Sequence, residues 1–322
     1  PLDLAMESMR RNVVCRAAFD IGSGSTKLQC SNCEVFLDAT GSVVKTNILD
    51  ELYGIEIPVQ FGADFKCSSD GKLSEDIQLK GISIFSDLLS KARAIGAVEF
   101  HAIATEVFRK AANGSTYLDK LRALGVPVTI LTQEMEAELG FGSVQAVLML
   151  SALPPALCVW DSGGASFQIT RLSPSAEAGA PRIESYMGAL GSSVSTALLL
   201  RDVQNKALAA NATPNPVSVQ DSVAHLKLIK STLGPVPDWL EGMERTASCA
   251  GTNAMFTLCC TVLSILATDE GKEDTTFVSF DAAQAEHALR ACLNQTDEQL
   301  QRFAAHANSD GPHLVVPKLA LL

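Results

Sequence analysis

The chain has 322 residues, 47% hydrophobic and 19% charged, with few aromatics. This ordinary globular composition excludes extensive disorder and lets a chain of this size bury roughly 75% of its unfolded surface. A net charge of −11 argues against a nucleic-acid-binding surface and obliges any polyanionic ligand to find local positive charge, for which Lys27, Arg93, Arg109 and Lys110 are the candidates. No apolar run reaches the ~18 residues that a membrane helix needs. Residues 1–11 lack the apolar centre of a signal peptide, so a cytoplasmic protein is expected. Nine cysteines, mostly in apolar stretches, read as reduced core thiols. Cys30-Ser-Asn-Cys33 leaves a zinc or redox pair as the alternative.

In chain order, Val13–Asp20 and Thr26–Cys33 read as a strand hairpin, with strand character continuing through Glu34–Lys45. Apolar residues at helical spacing predict a helix over Lys80–Gly96, followed by a strand at Val98–Ala104. Helical segments are expected at Thr105–Ala112 and Ser115–Leu124. A Gly125-Val-Pro turn then precedes a strand at Val128–Leu131. Thr132 is a candidate N-cap for a helix over Gln133–Met149. The pattern then restarts: a strand at Leu157–Trp160, its hairpin partner at Phe167–Leu172, a loop, and a strand at Ile183–Met187. Helices follow at Val194–Leu200, Val217–Leu233, Met255–Leu266, Asp281–Cys292 and Asp297–Ala305. A β-hairpin followed by βα alternation, twice, marks a duplicated unit whose intervening cleft is the expected ligand site.

The duplication is sharpest in two short segments. Ala18-Phe19-Asp20-Ile21-Gly22-Ser23-Gly24-Ser25-Thr26 and Val159-Trp160-Asp161-Ser162-Gly163-Gly164-Ala165-Ser166-Phe167 each run from apolar residues to an Asp and then to Gly and Ser. A tight Gly/Ser turn between strands presents backbone N–H groups suited to phosphate oxygens, and an Asp at the strand end suits a hard cation or a water. Either loop alone reads equally as an ordinary hairpin turn. The matching Asp offset favours a pair of phosphate-binding loops.

Five segments together resemble the exopolyphosphatase/guanosine-pentaphosphate phosphohydrolase family of the actin, sugar-kinase and heat-shock ATPase superfold. They are Phe19–Leu28, Ala102–Gly114, Ile130–Phe141, Val159–Ile169 and Ser248–Asn253. Thr105-x-x-x-Arg109-x-x-x-Asn113-Gly114 and Glu136-Ala137-x-Leu139 are the parts specific to this family. The resemblance implies an α/β protein of two ribonuclease H-like (actin-like ATPase) domains, each a mixed sheet flanked by helices, with an interdomain cleft. Residues 12–135 would form domain I, completed by about 313–322, and 136–312 domain II. The implied activity is hydrolysis of the terminal phosphoanhydride of inorganic polyphosphate or guanosine penta- or tetraphosphate, with Mg²⁺, in a possible homodimer.

Carried over by motif, Glu136 is the general base, activating water for in-line attack, and Arg109 grips phosphate oxygens. Asp20 and Asp161 hold Mg²⁺ or its waters. Phosphate contacts fall to Gly22, Ser23, Gly24, Ser25 and Thr26, to Ser162, Gly163, Gly164, Ala165 and Ser166, and to Asn113, Gly251 and Thr252. Plainer roles stand beside these: turn capping for the aspartates, an ion pair for Arg109, a turn at Asn113-Gly114, and a strand end at Gly251-Thr252.

The second loop departs from the family's Asp-x-Gly-Gly-Gly-Ser-x-Glu, with Ala165 for the third Gly and Gln168 for the Glu. In the first loop, Gly24 stands for a usual Asn. The Ala165 methyl is expected to obstruct phosphate or a positive-φ backbone, and Gln168 to weaken metal binding. Glu136 is intact, so hydrolysis leads. A phosphate or nucleotide sensor with weakened turnover is the alternative, and a kinase of the same superfold a third.

Overall fold

A computed structural model of the chain describes residues 10–147, 158–173, 183–209, 212–241, 247–248, 253–269, 280–304 and 311–322. They fall into two compact units, Pro1–Thr132 and Gln133–Leu322.

In the first unit, β1 (Arg10–Ile21), β2 (Ser25–Leu37) and β3 (Val43–Pro58) form an antiparallel meander. After the short helix α1 (Phe61–Cys67) and the long α2 (Glu75–Ile95), β4 (Glu99–Ala104) returns parallel to β1. Then come α3 (Glu106–Lys110), α4 (Gly114–Arg122) and β5 (Val128–Ile130), giving the strand order β3-β2-β1-β4-β5. Local chemistry sets the limits of α2. The Ser74 hydroxyl accepts the Ile77 N–H at its start, and Gly96, at φ 102°, ends it in the left-handed conformation that a side chain disfavours. Phe19, Phe61, Phe85, Phe108 and Tyr117 fill the core beneath the sheet. A Cβ on Gly81 would lie 2.4 Å from the Tyr117 hydroxyl and 2.6 Å from Phe61 Cζ, so close aromatic packing requires that glycine in mid-helix.

The second unit repeats the plan. α5 (Gln133–Val147) leads to β6 (Cys158–Ser162), whose antiparallel partner is β7 (Phe167–Leu172), followed by β8 (Ile183–Gly188). The two-residue β9 (Ala247–Ser248) runs parallel to β6, giving the order β8-β7-β6-β9. This is the first four-strand arrangement again, with β6 in the place of β1. The helices are α6 (Ser192–Leu198), continued by a π-helical turn at Leu199–Val203, α7 (Val219–Thr232), α8 (Asp238–Glu241), α9 (Asn253–Asp269), α10 (Ala282–Cys292), α11 (Asp297–Ala304) and α12 (Val315–Leu319). Capping boxes open α7 (Ser218 with Asp221) and α10 (Asp281 with Gln284). No described helix is long and apolar enough to cross a membrane.

The sequence expectations hold for the hairpins, for β4 and β5, and for most helices. The sequence reading missed β3, α1 and α8. The C-terminal segment, expected to complete the first domain over about 313–322, contains a 3₁₀ turn and α12. Val315, Val316 and Leu319 pack in the core of the second unit with Val262, Ile265 and Leu289.

One buried polar contact ties α6, α7 and α12 together. His225 is 1% exposed. Its Nε2 lies 3.0 Å from the Ser195 carbonyl and 3.1 Å from Ser195 Oγ, and that hydroxyl donates to the Pro317 carbonyl at 2.9 Å. Burial pulls the imidazole down to about 4, so the folded state holds it neutral. Its contribution is therefore complete above the unfolded value of about 6.5 and is lost as pH falls toward the folded one. Between pH 7 and 5, urea unfolding should show the wild type losing about 2 kcal/mol more than a His225→Gln variant. Parallel pH dependences would refute this.

Candidate functional site

In each unit the candidate residues gather at one sheet edge, where the parallel strands end. In the first, Ile21 lies beside Ala104, and the Thr105 N–H donates to the Ile21 carbonyl at 3.3 Å. The β1–β2 turn, α3 and the end of β5 therefore share that edge, the usual ligand side of an open α/β sheet. The turn is closed by the Gly22 N–H donating to the Ser25 carbonyl at 2.9 Å. Its other carbonyls are held from outside: Ser23 accepts the Gly62 N–H at 2.7 Å, and Gly24 accepts the Val59 N–H at 2.9 Å.

The second turn reproduces the closing bond and the contact to the second residue of a helix, and differs in which other carbonyl is held. The Gly163 N–H donates to the Ser166 carbonyl at 2.9 Å, the Gly163 carbonyl accepts the Ser192 N–H at 3.0 Å, and the Gly164 carbonyl accepts the Ser193 N–H at 2.8 Å. Gly62 and Ser193 are each the second residue of a short helix. In both units, then, the start of a helix draws one loop carbonyl (Ser23, Gly164) aside, away from any anion the loop's N–H groups would meet. Gly191 makes this approach possible, since a Cβ there would sit 2.4 Å from the Gly163 carbonyl oxygen and 2.5 Å from the Ala165 nitrogen.

Neither loop uses a left-handed backbone. The described positive-φ residues are Gly41, Gly71, Gly96, Gly125, Asn205 and Asn294. The backbone objection to Ala165 is thereby removed, because its conformation is one that any residue adopts.

What precedes the loops differs. In register across β1 and β2, Asp20 faces Lys27, whose ammonium lies 3.4 Å from Asp20 Oδ2. Both side chains are more than a third exposed, so the pair contributes little stability. In the second unit Asp161 faces Gln168, which is 3% exposed. The Gln168 amide donates to Glu136 Oε2 at 3.3 Å and to Ser166 Oγ at 3.4 Å.

Glu136 stands on α5, half-buried, whereas Glu134 and Glu138 are exposed. Ala137, Phe141 and Val144 sink the neighbouring positions of the helix into the core. Two further residues pin this helix to the sheet. Gln133 donates to the Phe167 and Gly188 carbonyls, each at 3.4 Å. Gly140, one turn beyond Glu136, places α5 beside Asp161: a Cβ there would lie in ordinary contact, 3.5 Å from Asp161 Oδ2. The structure thus brings Glu136, Asp161, Ser166 and Gln168 into one group.

This group offers hard oxygen donors, the kind Mg²⁺ accepts when it keeps several waters and takes only one or two carboxylates from a protein. Among the described residues no three His, Cys, Asp or Glu side chains converge as a ready-made metal cage.

Arg109, on α3, donates through Nη1 to the Leu131 carbonyl, which fixes it across the ends of β4 and β5. Asn113 uses both ends of its amide on Leu73, accepting from the N–H and donating to the carbonyl, each at 2.8 Å. This brackets a turn and leaves the residue a structural role. Thr26 and Ser162 are buried at 1% and 5% exposure, and the Ser25 hydroxyl donates to Glu56 at 2.6 Å. Their side chains are taken up by the fold. Gly251 and Thr252 lie outside the described residues. The other proposed basic groups are engaged: Lys110 pairs with Glu106, and Arg93 donates to the Leu124 carbonyl at 3.4 Å. Cys30 and Cys33 occupy odd-spaced positions of one strand and so point to opposite faces, and burial raises both thiols. They are not a metal or redox pair.

Gly140, Gly191, Ser193 and Gly62 escaped the sequence reading. Gly191 directly before a helix start was the available signal.

Solved structures show the same architecture, a mixed sheet flanked by helices. An Aquifex aeolicus member of the Ppx/GppA family is similar at a TM-score of 0.63 and 15% identity, over 96% of this chain and 89% of that one. An exopolyphosphatase from Cytophaga hutchinsonii is similar at 0.64 and 14%, over 97% and 88%. An exopolyphosphatase-like protein gives 0.65 and 16%, over 96% and 86%. At these identities the likeness is one of fold. No curated protein matches the chain. Residues 58–176 match the Ppx/GppA phosphatase family. That stretch, which holds Arg109, Glu136 and the whole second loop, is a Ppx/GppA-family segment, and the resemblance seen in the sequence is borne out.

Two substitutions test the loop geometry. Gly191→Ala should cost about 1–3 kcal/mol in urea unfolding, because its methyl meets backbone that cannot yield. Ala165→Gly should relieve nothing and lower stability by about 0.4–1 kcal/mol through the freer unfolded chain. A stabilised Ala165→Gly variant would restore the strained-backbone explanation.

Proposed function

We propose that this chain is a phosphatase that hydrolyses the terminal phosphoanhydride of inorganic polyphosphate or of guanosine pentaphosphate, releasing inorganic phosphate. The observation that carries the reading is the setting of Glu136. Of three closely spaced glutamates it is the half-buried one, hydrogen-bonded by Gln168 and one turn from the glycine that abuts Asp161. A carboxylate fixed in this way suits a base that orients a water and takes its proton as phosphorus is attacked in line.

The N–H groups of the two turns bind phosphate oxygens, and Arg109 adds charge complementarity to the transferred group. Asp20 and Asp161 would hold Mg²⁺, which when bound neutralises charge on the phosphoanhydride.

Gln168 favours one further reading, a phosphate- or nucleotide-binding relative with weakened turnover, since it withholds a negative charge from the metal. Phosphate release from long-chain polyphosphate and from guanosine pentaphosphate with Mg²⁺, for wild type and Glu136→Gln, separates the two. The enzyme reading expects wild-type release and a loss of about 10²–10⁴-fold in kcat in the variant. Ligand binding without release by wild type would favour the sensor, and an undiminished Glu136→Gln would remove Glu136 as base. Gln168→Glu should tighten Mg²⁺ binding in a direct titration, because position 168 is the register partner of Asp161 and a carboxylate there adds a second anionic donor beside it.

A further inference from the structure

We infer that Gln168 is the positioning residue for Glu136, its side-chain amide holding the plane and reach of that carboxylate. The inference rests on the reading of Glu136 as the base and adds to it the group through which that base is aimed. A Glu side chain has three rotatable bonds, and a base must be confined to the one arrangement that meets its water, since a displacement of about 1 Å can cost about 10²-fold in rate.

Three features make Gln168 suited to confining it. Gln168 sits in the middle of a paired strand, in register with Asp161 on one side and Met187 on the other, so its own backbone is fixed. It is 3% exposed, and a buried amide must find partners or incur desolvation without compensation. The partners of Nε2 are Glu136 Oε2 at 3.3 Å and Ser166 Oγ at 3.4 Å, so one NH₂ group spans from the helix carboxylate to the closing residue of the second loop. A carboxylate can only accept, which fixes the amide orientation with nitrogen toward Glu136.

The helix backbone is set by other means, the Gln133 amide below and the Gly140 approach to Asp161 above. Gln168 therefore acts on the Glu136 side chain itself. An amide is the donor here that adds no charge: a Lys at 168 would neutralise the base, and a Glu would need a cation or a proton between the two carboxylates.

The test is a double-mutant cycle on the full chain, assayed for phosphate release with Mg²⁺, with thermal unfolding run alongside. Gln168→Met keeps the length and loses the donor. It should lower kcat about ten- to a hundred-fold with KM within about threefold of wild type. In the Glu136→Gln background the same change should have no further effect on kcat, because the group it aims is already gone. If Gln168→Met melts without cooperativity, Gln168→Asn, whose amide is one methylene short, decides the matter with the same expected split. Wild-type kcat in either folded variant, while Glu136→Gln is inactive, overturns the inference and leaves the base intact. An additive loss in the double variant also overturns it, marking Gln168 as structural. An active Glu136→Gln overturns both readings together.

Discussion

Everything proposed for this chain depends on one small interaction made twice: a glycine N–H donating to the carbonyl three residues on, across the tip of a hairpin. That bond makes the turn tight enough to leave backbone N–H groups at its tip. The turn alone would leave carbonyl oxygens there as well, and these repel anions. In both units the second residue of a short helix draws one of them aside, donating its N–H to the loop carbonyl (Gly62 to Ser23, Ser193 to Gly164). Two needs are met at once, since the helix obtains partners for its first turn and the loop becomes one-sided in charge.

This pairing explains which glycines matter. The sequence suggested that the loops need glycine for unusual dihedral angles, but their backbones are ordinary. Gly191 is needed because two backbones pass within a methyl's radius, and Gly81 because two aromatic rings leave no room. Ala165 sits in a loop where its conformation costs nothing. The departure of consequence is Gln168, which replaces a charge by a hydrogen bond directed at the neighbouring helix.

The hairpins, their Asp offsets and most helices were legible because each rests on local alternation, helical spacing or turn chemistry. β3 was not, because it lies at the sheet edge with both faces largely exposed and carries polar residues among Val43, Val44, Ile48 and Leu49. α1 is too short for a helical period to show. The place of α12 in the second unit depends on packing against residues far away in sequence. In the candidate site, motif matching pointed to Glu136 and Asp161, which lie on neighbouring elements. The hydrogen bond from Gln168 to Glu136 joins a helix to a strand beyond it, and no pattern along the chain encodes such a meeting. Asn113 illustrates the opposite case, a motif residue whose amide is bound to the backbone of Leu73.

The irregularity of β3 has a consequence for the protein's behaviour in a crowded solution. Its pairing with β2 slips at three places, between Cys30 and Ser31, Asn32 and Cys33, and Phe36 and Leu37. An outermost strand with exposed valines, isoleucines and leucines would otherwise be a template onto which a foreign strand could crystallise. Each slip turns the backbone and breaks the regular spacing of donors and acceptors. The longest regular run, Tyr53–Pro58, ends in a residue with no N–H to offer. The edge is greasy yet unreadable, so that stickiness is kept from becoming order.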